Sequence, residues 1–270
     1  MLILNFLNFI SLSSSNRNSY KLYNATIIKR GNMDIVLDGK VKKNCRIIQG
    51  FPGMGLVGTI ATEFLVEHLK AKPVGTIKGH EIPPIAAIHA GTVVKPMGFF
   101  YAEKENILIL HVISGVPGSE WDIAELLTNQ AKKLNAKEII SLESVGTPPN
   151  MPPGLSNGFF YTNDKEAARK LERIGLEELK EGIVVGLTGA LILNSKLPIT
   201  CIFAETHSKL PDSKAAAQIV DSLSKYLGLR LDTRPLLKSA EEFEEKIRGI
   251  LTKTKEVQEH SERNKLSYVG

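Results

Sequence analysis

The sequence predicts an α/β fold in which a mixed sheet is covered by helices on both faces. Two observations carry this. Short apolar runs of strand length alternate along the chain with amphipathic segments whose apolar residues recur at threes and fours. A glycine-rich stretch, Phe51-Pro-Gly-Met-Gly-Leu-Val-Gly58, then joins one such run to one such segment in the order strand, tight turn, helix.

The elements follow in order. Residues 45–49 read as a strand, and residues 60–69 as the helix that the glycine turn leads into. Residues 74–77 make the next strand. Pro83-Pro84 then breaks the chain, and residues 85–89 and 91–94 form two short strands closed by Lys95-Pro96. Residues 99–101 and 107–113 are strands separated by Lys104-Glu105-Asn106, a hairpin-like arrangement. An amphipathic helix spans 123–134, and the strand 138–145 buries Ile139, Ile140 and Leu142. Residues 146–158 hold four prolines and three glycines and must be a loop, either a plain surface connection or part of a site. A short strand at 159–162, a helix at 165–174 and a second apolar-glycine junction from Gly182 to residue 193 come next. After a strand at 199–205, the helix 212–227 takes Asp212 as its N-cap and turns Ala216, Ile219, Val220 and Leu223 to one side. A last helix carries Leu237, Ala240, Phe243, Ile247 and Ile250.

Three regions differ in composition. Residues 1–32 open on a ten-residue apolar run, short of the roughly twenty needed to span a bilayer, and continue into a Ser/Asn/Tyr-rich stretch free of acids. They are expected to be disordered or a mis-assigned extension, with Met33 beginning the folded protein. Residues 33–251 read as one α/β domain, and 252–270 as a flexible charged tail. Four of the 34 basic residues (Arg17, Lys21, Lys29, Arg30) precede the first acid, leaving 30 basic against 29 acidic residues in the remainder. That balance lacks the clustered positive charge of a nucleic-acid binder, and no membrane partner is expected. Cys45 and Cys201 sit in apolar runs and read as buried reduced thiols of a cytoplasmic protein, although a single disulfide is the alternative.

Gly53, Gly55 and Gly58 match G-x-G-x-x-G, which invites a nucleotide loop. The invitation fails on chemistry. The next strand ends in Lys78 with no carboxylate for a ribose, and no Gly-Lys-Ser or Gly-Lys-Thr follows to hold phosphates. The turn, comprising Gly50, Pro52, Gly53, Gly55 and Gly58, therefore reads as structural, with Phe51 and Met54 as packing residues. His80, Glu81, His89, His111 and His207 offer no metal-ligand spacing, so neither metal nor cofactor is expected. Glu205-Thr-His207, Ser114-Gly115 and Ser119-Glu120 remain candidates because they end strands, where open α/β sheets place ligands. The chain closes on Leu266-Ser-Tyr-Val-Gly270, an apolar and aromatic group after a charged tail. It reads either as a stub docked on its own domain or as a peptide that inserts Leu266, Tyr268, Val269 and the Gly270 carboxylate into a partner's pocket.

Four motifs in this order resemble the proteasome assembly chaperone family: Gly50-Phe-Pro-Gly-Met-Gly-Leu-Val-Gly58; Pro83-Pro84 followed by His89-Ala-Gly91 and Pro96; Gly186-Leu-Thr-Gly-Ala190; and Asp212-Ser-Lys-Ala-Ala-Ala217. The similarity runs from about Asp34 to Gly249. The resemblance implies a three-layer α/β/α fold like that of nucleoside phosphorylases, a homo-oligomer, and binding to proteasome core-particle α subunits. It implies a non-enzymatic chaperone or adaptor. Some family members end in a hydrophobic-Tyr-X tail; here Tyr268 is third from the end and Ser267 precedes it. The competing reading is a small-molecule or nucleoside-handling enzyme, or an ATP-dependent ligase-like protein. It would use the strand-end loops at 53–58, 114–120 and 146–158.

Overall fold

The computed structural model describes residues 33–82, 84, 86–89, 92–146, 158–206 and 210–238. Its centre is a nine-stranded sheet in the order β1-β3-β6-β7-β2-β8-β11-β9-β10. In chain order the strands are β1 (Asp34–Leu37), β2 (Arg46–Gly50), β3 (Lys72–Lys78), β6 (Met97–Ala102), β7 (Ile107–Val112), β8 (Glu138–Gly146), β9 (Phe159–Thr162), β10 (Glu177–Glu178) and β11 (Ile199–Thr206). Strands β4 (Ala87–His89) and β5 (Thr92–Val94) pair separately as an antiparallel ribbon. The helices are α1 (Val57–His68), α2 (Glu120–Lys133), α3 (Lys165–Arg173), α4 (Gly186–Asn194) and α5 (Ser213–Leu227).

The middle of the sheet, β7-β2-β8-β11, is wholly parallel, and the flanking pairs are antiparallel except β9 with β10. Parallel strands need both faces covered, and their near-continuous apolar sequences meet that need. Successive side chains leave a strand on opposite faces. Ile48, Ile109, Ile140 and Ile202 accordingly pack with the α1, α3 and α5 layer, while Ile47, Leu108, Ile139 and Cys201 pack with α2 and α4. This is the three-layer mixed α/β arrangement expected from sequence.

Several boundaries follow from side-chain chemistry. Asp212 caps α5 by accepting the Ala215 amide at 2.9 Å, as its position foretells, and Asp164 caps α3 by accepting the amides of Glu166 and Ala167 at 2.7 and 2.8 Å. The β6–β7 hairpin turns through Asn106 at φ 55°, a left-handed conformation that asparagine tolerates well. Two placements add to the sequence reading. Residues 34–37, taken only as the start of the folded region, are an edge strand antiparallel to β3. Strand β3, which follows the glycine-turn helix, is separated from β2 in the sheet. It runs parallel to β2 with β6 and β7 between them, because the hairpin occupies that space.

Candidate functional site

Because β7, β2, β8 and β11 run the same way, their carboxyl ends meet at one edge of the sheet, where a ligand site is expected in an open α/β fold. The segments leaving them border a cleft of about 670 Å³ on the α2/α4 face. Gly53 and Met54 of the glycine turn, Gly115 to Pro117 after β7, Glu143 to Gly146 of β8, Glu205 of β11 and the 181–187 approach to α4 all line it. Two of the strand-end loops singled out from sequence therefore do converge. The third contributes Gly146, and residues 147–157 lie outside the described residues.

The glycine turn is shaped by close backbone contact. Gly50 and Gly58 touch: a Cβ on Gly50 would lie 2.5 Å from the Gly58 carbonyl carbon, and one on Gly58 would lie 2.4 Å from Leu142 O of β8. Only glycine at both positions lets α1 sit this close to β2 and β8. Gly55, at φ 64°, donates no side chain and accepts the Asp212 amide on its carbonyl at 2.8 Å, which ties the turn to the start of α5. The Ser144 hydroxyl donates to Met54 O at 2.7 Å and fixes the turn to β8. Glu143 Oε1 faces Gly53 so closely that any side chain there would strike it. A phosphate on this turn would meet the carboxylates of Glu143 and Asp212, which supports the structural reading of the motif. Phe51 is buried as expected, whereas Met54 is 46% exposed at the cleft rim and is not a packing residue. Pro52 also lines the cleft.

Beneath the cleft runs a polar chain that the sequence reading missed. Gln49, Ser141 and Thr188 are fully buried. Gln49 Nε2 donates to Ser141 Oγ and, at 3.2 Å, to Thr188 Oγ1; Ser141 Oγ lies 2.6 Å from Thr188 Oγ1, which donates to Glu143 Oε2 at 3.2 Å. The second carboxylate oxygen accepts the Ser144 amide at 3.1 Å. Burial lifts the Glu143 carboxyl from its ordinary value to about 7, against the two hydrogen bonds that favour its ionised form. Burial, with Glu143's charge behind it, also pushes the Cys201 thiol up, and burial raises Cys45, so both thiols are held protonated. The signal in the sequence is a pair of polar residues spaced by two, Ser141 and Glu143, that interrupts the apolar positions Ile139, Ile140 and Leu142.

The histidine candidates separate. His111 is buried on β7 with Nδ1 3.0 Å from the Thr62 hydroxyl on the opposite face, and burial lowers its pKa to about 4. His80 is exposed in the turn after β3, and His207 lies outside the described residues. Among the described residues no group of three or more His, Cys, Asp or Glu side chains could hold a metal ion, and no helix is long and apolar enough to cross a membrane. Leu266, Tyr268, Val269 and Gly270 also lie outside the described residues, as do residues 1–32.

The sequence profile of the PAC2 family matches residues 47–251. The chain belongs to the PAC2 family. The match takes in the glycine turn, the strand-end cleft and both helix layers. A crystal structure of Pyrococcus furiosus PbaA, described as an archaeal homolog of proteasome-assembly chaperone, superposes with a TM-score of 0.76 at 31% identity, covering 86% of this chain and 97% of that one. Pyrococcus furiosus PbaB, described as an archaeal proteasome activator, shares the fold with a TM-score of 0.69 at 24% identity, over 81% and 98% of the two chains. An uncharacterised protein of Methanocaldococcus jannaschii is 27% identical over 222 residues, 81% of this chain and 90% of its own length.

Proposed function

We propose that this protein is a non-enzymatic chaperone or adaptor that binds α subunits of the proteasome core particle, acting in the cytoplasm as a homo-oligomer. The observation that carries the proposal is the 31% identity to PbaA across 97% of that chain, together with PAC2 family membership. PbaB, at 24% identity, supports the fold alone.

The physical reading has two parts. A sheet covered on both faces is a rigid body suited to presenting a surface, and exposed apolar side chains such as Ile183, Val185 and Met54 offer contact area of the kind partners cover. The sequence beyond it supplies a segment whose Leu266 and Tyr268 can enter an apolar pocket of a partner.

The test is capture of recombinant core-particle α subunits by the full chain and by a form lacking residues 266–270. The full chain is expected to retain them and the truncated form to retain less. Absence of capture by the full chain refutes the binding role, and equal capture by both refutes the role of the tail.

A further inference from the structure

We propose that the strand-end cleft is a binding site for a small organic cation, an amine or guanidine carried on an apolar body. The inference is independent of the proteasome reading, and its test uses this chain alone.

Size and lining define the ligand class. A cleft of about 670 Å³ lies within the roughly 300–1,000 Å³ of small-molecule sites. Most of its wall is apolar, with Phe51, Val145, Phe159, Leu187 and Phe203 among the lining residues. The charges that reach it are all of one sign: Glu120, Glu143, Glu181 and Glu205 come from four separate segments, and among the described residues none of the lining side chains is Lys, Arg or His. An apolar ligand lacking a charge would leave these carboxylates without a counter-ion, and an anion would be repelled. A metal ion is a poor match because the described residues supply no cluster able to coordinate one.

Glu143 is the anchor. Each of its oxygens accepts one hydrogen bond from the protein, from Ser144 N and Thr188 Oγ1, which leaves acceptor capacity on both. The chain from Gln49 through Ser141 to Thr188 holds the carboxylate in one position, so a cationic head meets a preorganised acceptor rather than a mobile surface acid. The same burial that raises its pKa removes competing water, and a bound cation would restore the charge that burial disfavours. Glu205 and Glu120 border the same space and add to its negative field.

The probe is 4-phenylbutylamine, set against 4-phenylbutanol and 4-phenylbutanoate, with calorimetry on the full chain at pH 7.5. The amine should bind at least about tenfold more tightly than the alcohol, as expected for a charged hydrogen bond, and the carboxylate should not bind. Glu143→Gln should remove that preference. Ile183→Arg, at a rim position that is 91% exposed and so safe for folding, should weaken the amine while leaving the alcohol unchanged. An acetylated Leu-Lys-Leu peptide distinguishes a free amine from a protein-borne lysine. Binding of the peptide alone overturns the proposal, as does amine affinity equal to that of the alcohol, amine affinity unaltered in both variants, or no amine binding up to about 10 mM.

Discussion

Replacing Gly58 with alanine sets two known effects against each other and lets the geometry decide the sign. Gly58 is the second residue of α1 and has no need of a positive φ, so by helix propensity alone alanine should stabilise the protein by about 1 kcal/mol. The added Cβ would however lie 2.4 Å from Leu142 O, 3.1 Å from Gly50 Cα and 3.2 Å from Phe51 O. Ordinary carbon contacts begin near 3.5 Å, so α1 must retreat from β8 by about 1 Å. All three obstructing atoms belong to the backbone, and no rotamer change relieves them. Overpacking of this kind costs about 1–3 kcal/mol, and the upper end applies where two strands must yield together. The expected net effect is a loss of about 1–2 kcal/mol, read as a lower urea midpoint with an unchanged slope and a melting temperature lower by about 3–6 °C. Gly182→Ala is the control, since its Cβ meets Leu179 only at ordinary distances of 3.4–3.6 Å, and it should be nearly neutral. A Gly58→Ala protein as stable as the parent, or more so, would refute the claim that the motif exists for close packing. It would also reopen the view that these glycines leave room for a cofactor.

Three further outcomes follow from the buried polar groups. His111 holds a pKa near 4 against an ordinary 6.5, so it contributes stability above pH 6.5 that is lost as pH falls toward 4, about 3 kcal/mol in all. Glu143 has the opposite sign, raised from 4.5 to about 7, and its contribution is full below pH 4.5 and lost as pH rises through 7. The two oppose each other between about pH 4.5 and 6.5, so Glu143→Gln should steepen the acid loss of stability by about 1.4 kcal/mol per pH unit in urea titrations; an unchanged slope would show Glu143 to be ordinary. Asp212→Ala should lower stability by about 1 kcal/mol through loss of the α5 cap, with Asp212→Asn recovering most of it in thermal melts. Cys45 and Cys201 are fully buried with raised pKa values, so a thiol reagent at pH 8 should label neither in the folded protein and both after denaturation.

Local chemistry made much of the fold legible. The six-residue run of β7, the hairpin turn at Asn106 and the Asp212 cap each declare themselves within a few residues, because a strand, a left-handed turn and a helix start have short-range causes. Strand order has no such cause. Nothing within residues 72–78 says that β6 and β7 will separate them from β2, since that is fixed by which apolar faces find each other. Glu143 was obscure for a related reason: a polar residue alternating with apolar ones normally marks a solvated face, and only the covering of both faces turns it inward. Met54 misled in the other direction, as an apolar residue whose place in the turn leaves it at the rim.

The position of β11 has a consequence for how the protein is made. Strands β8 and β9 are consecutive in the chain, yet β11 lies between them and pairs with both. While the chain is being synthesised, one edge of β8 has no strand to receive until residues 199–206 have left the ribosome. At roughly 5–20 residues per second the stretch from the end of β8 to β11 takes roughly 3–11 s. During that interval an apolar strand edge that is interior in the finished sheet stands open to wrong pairings. Closure by so distant a segment is intrinsically slow, so the yield of correctly folded chains depends on how soon the C-terminal third arrives to fill the gap.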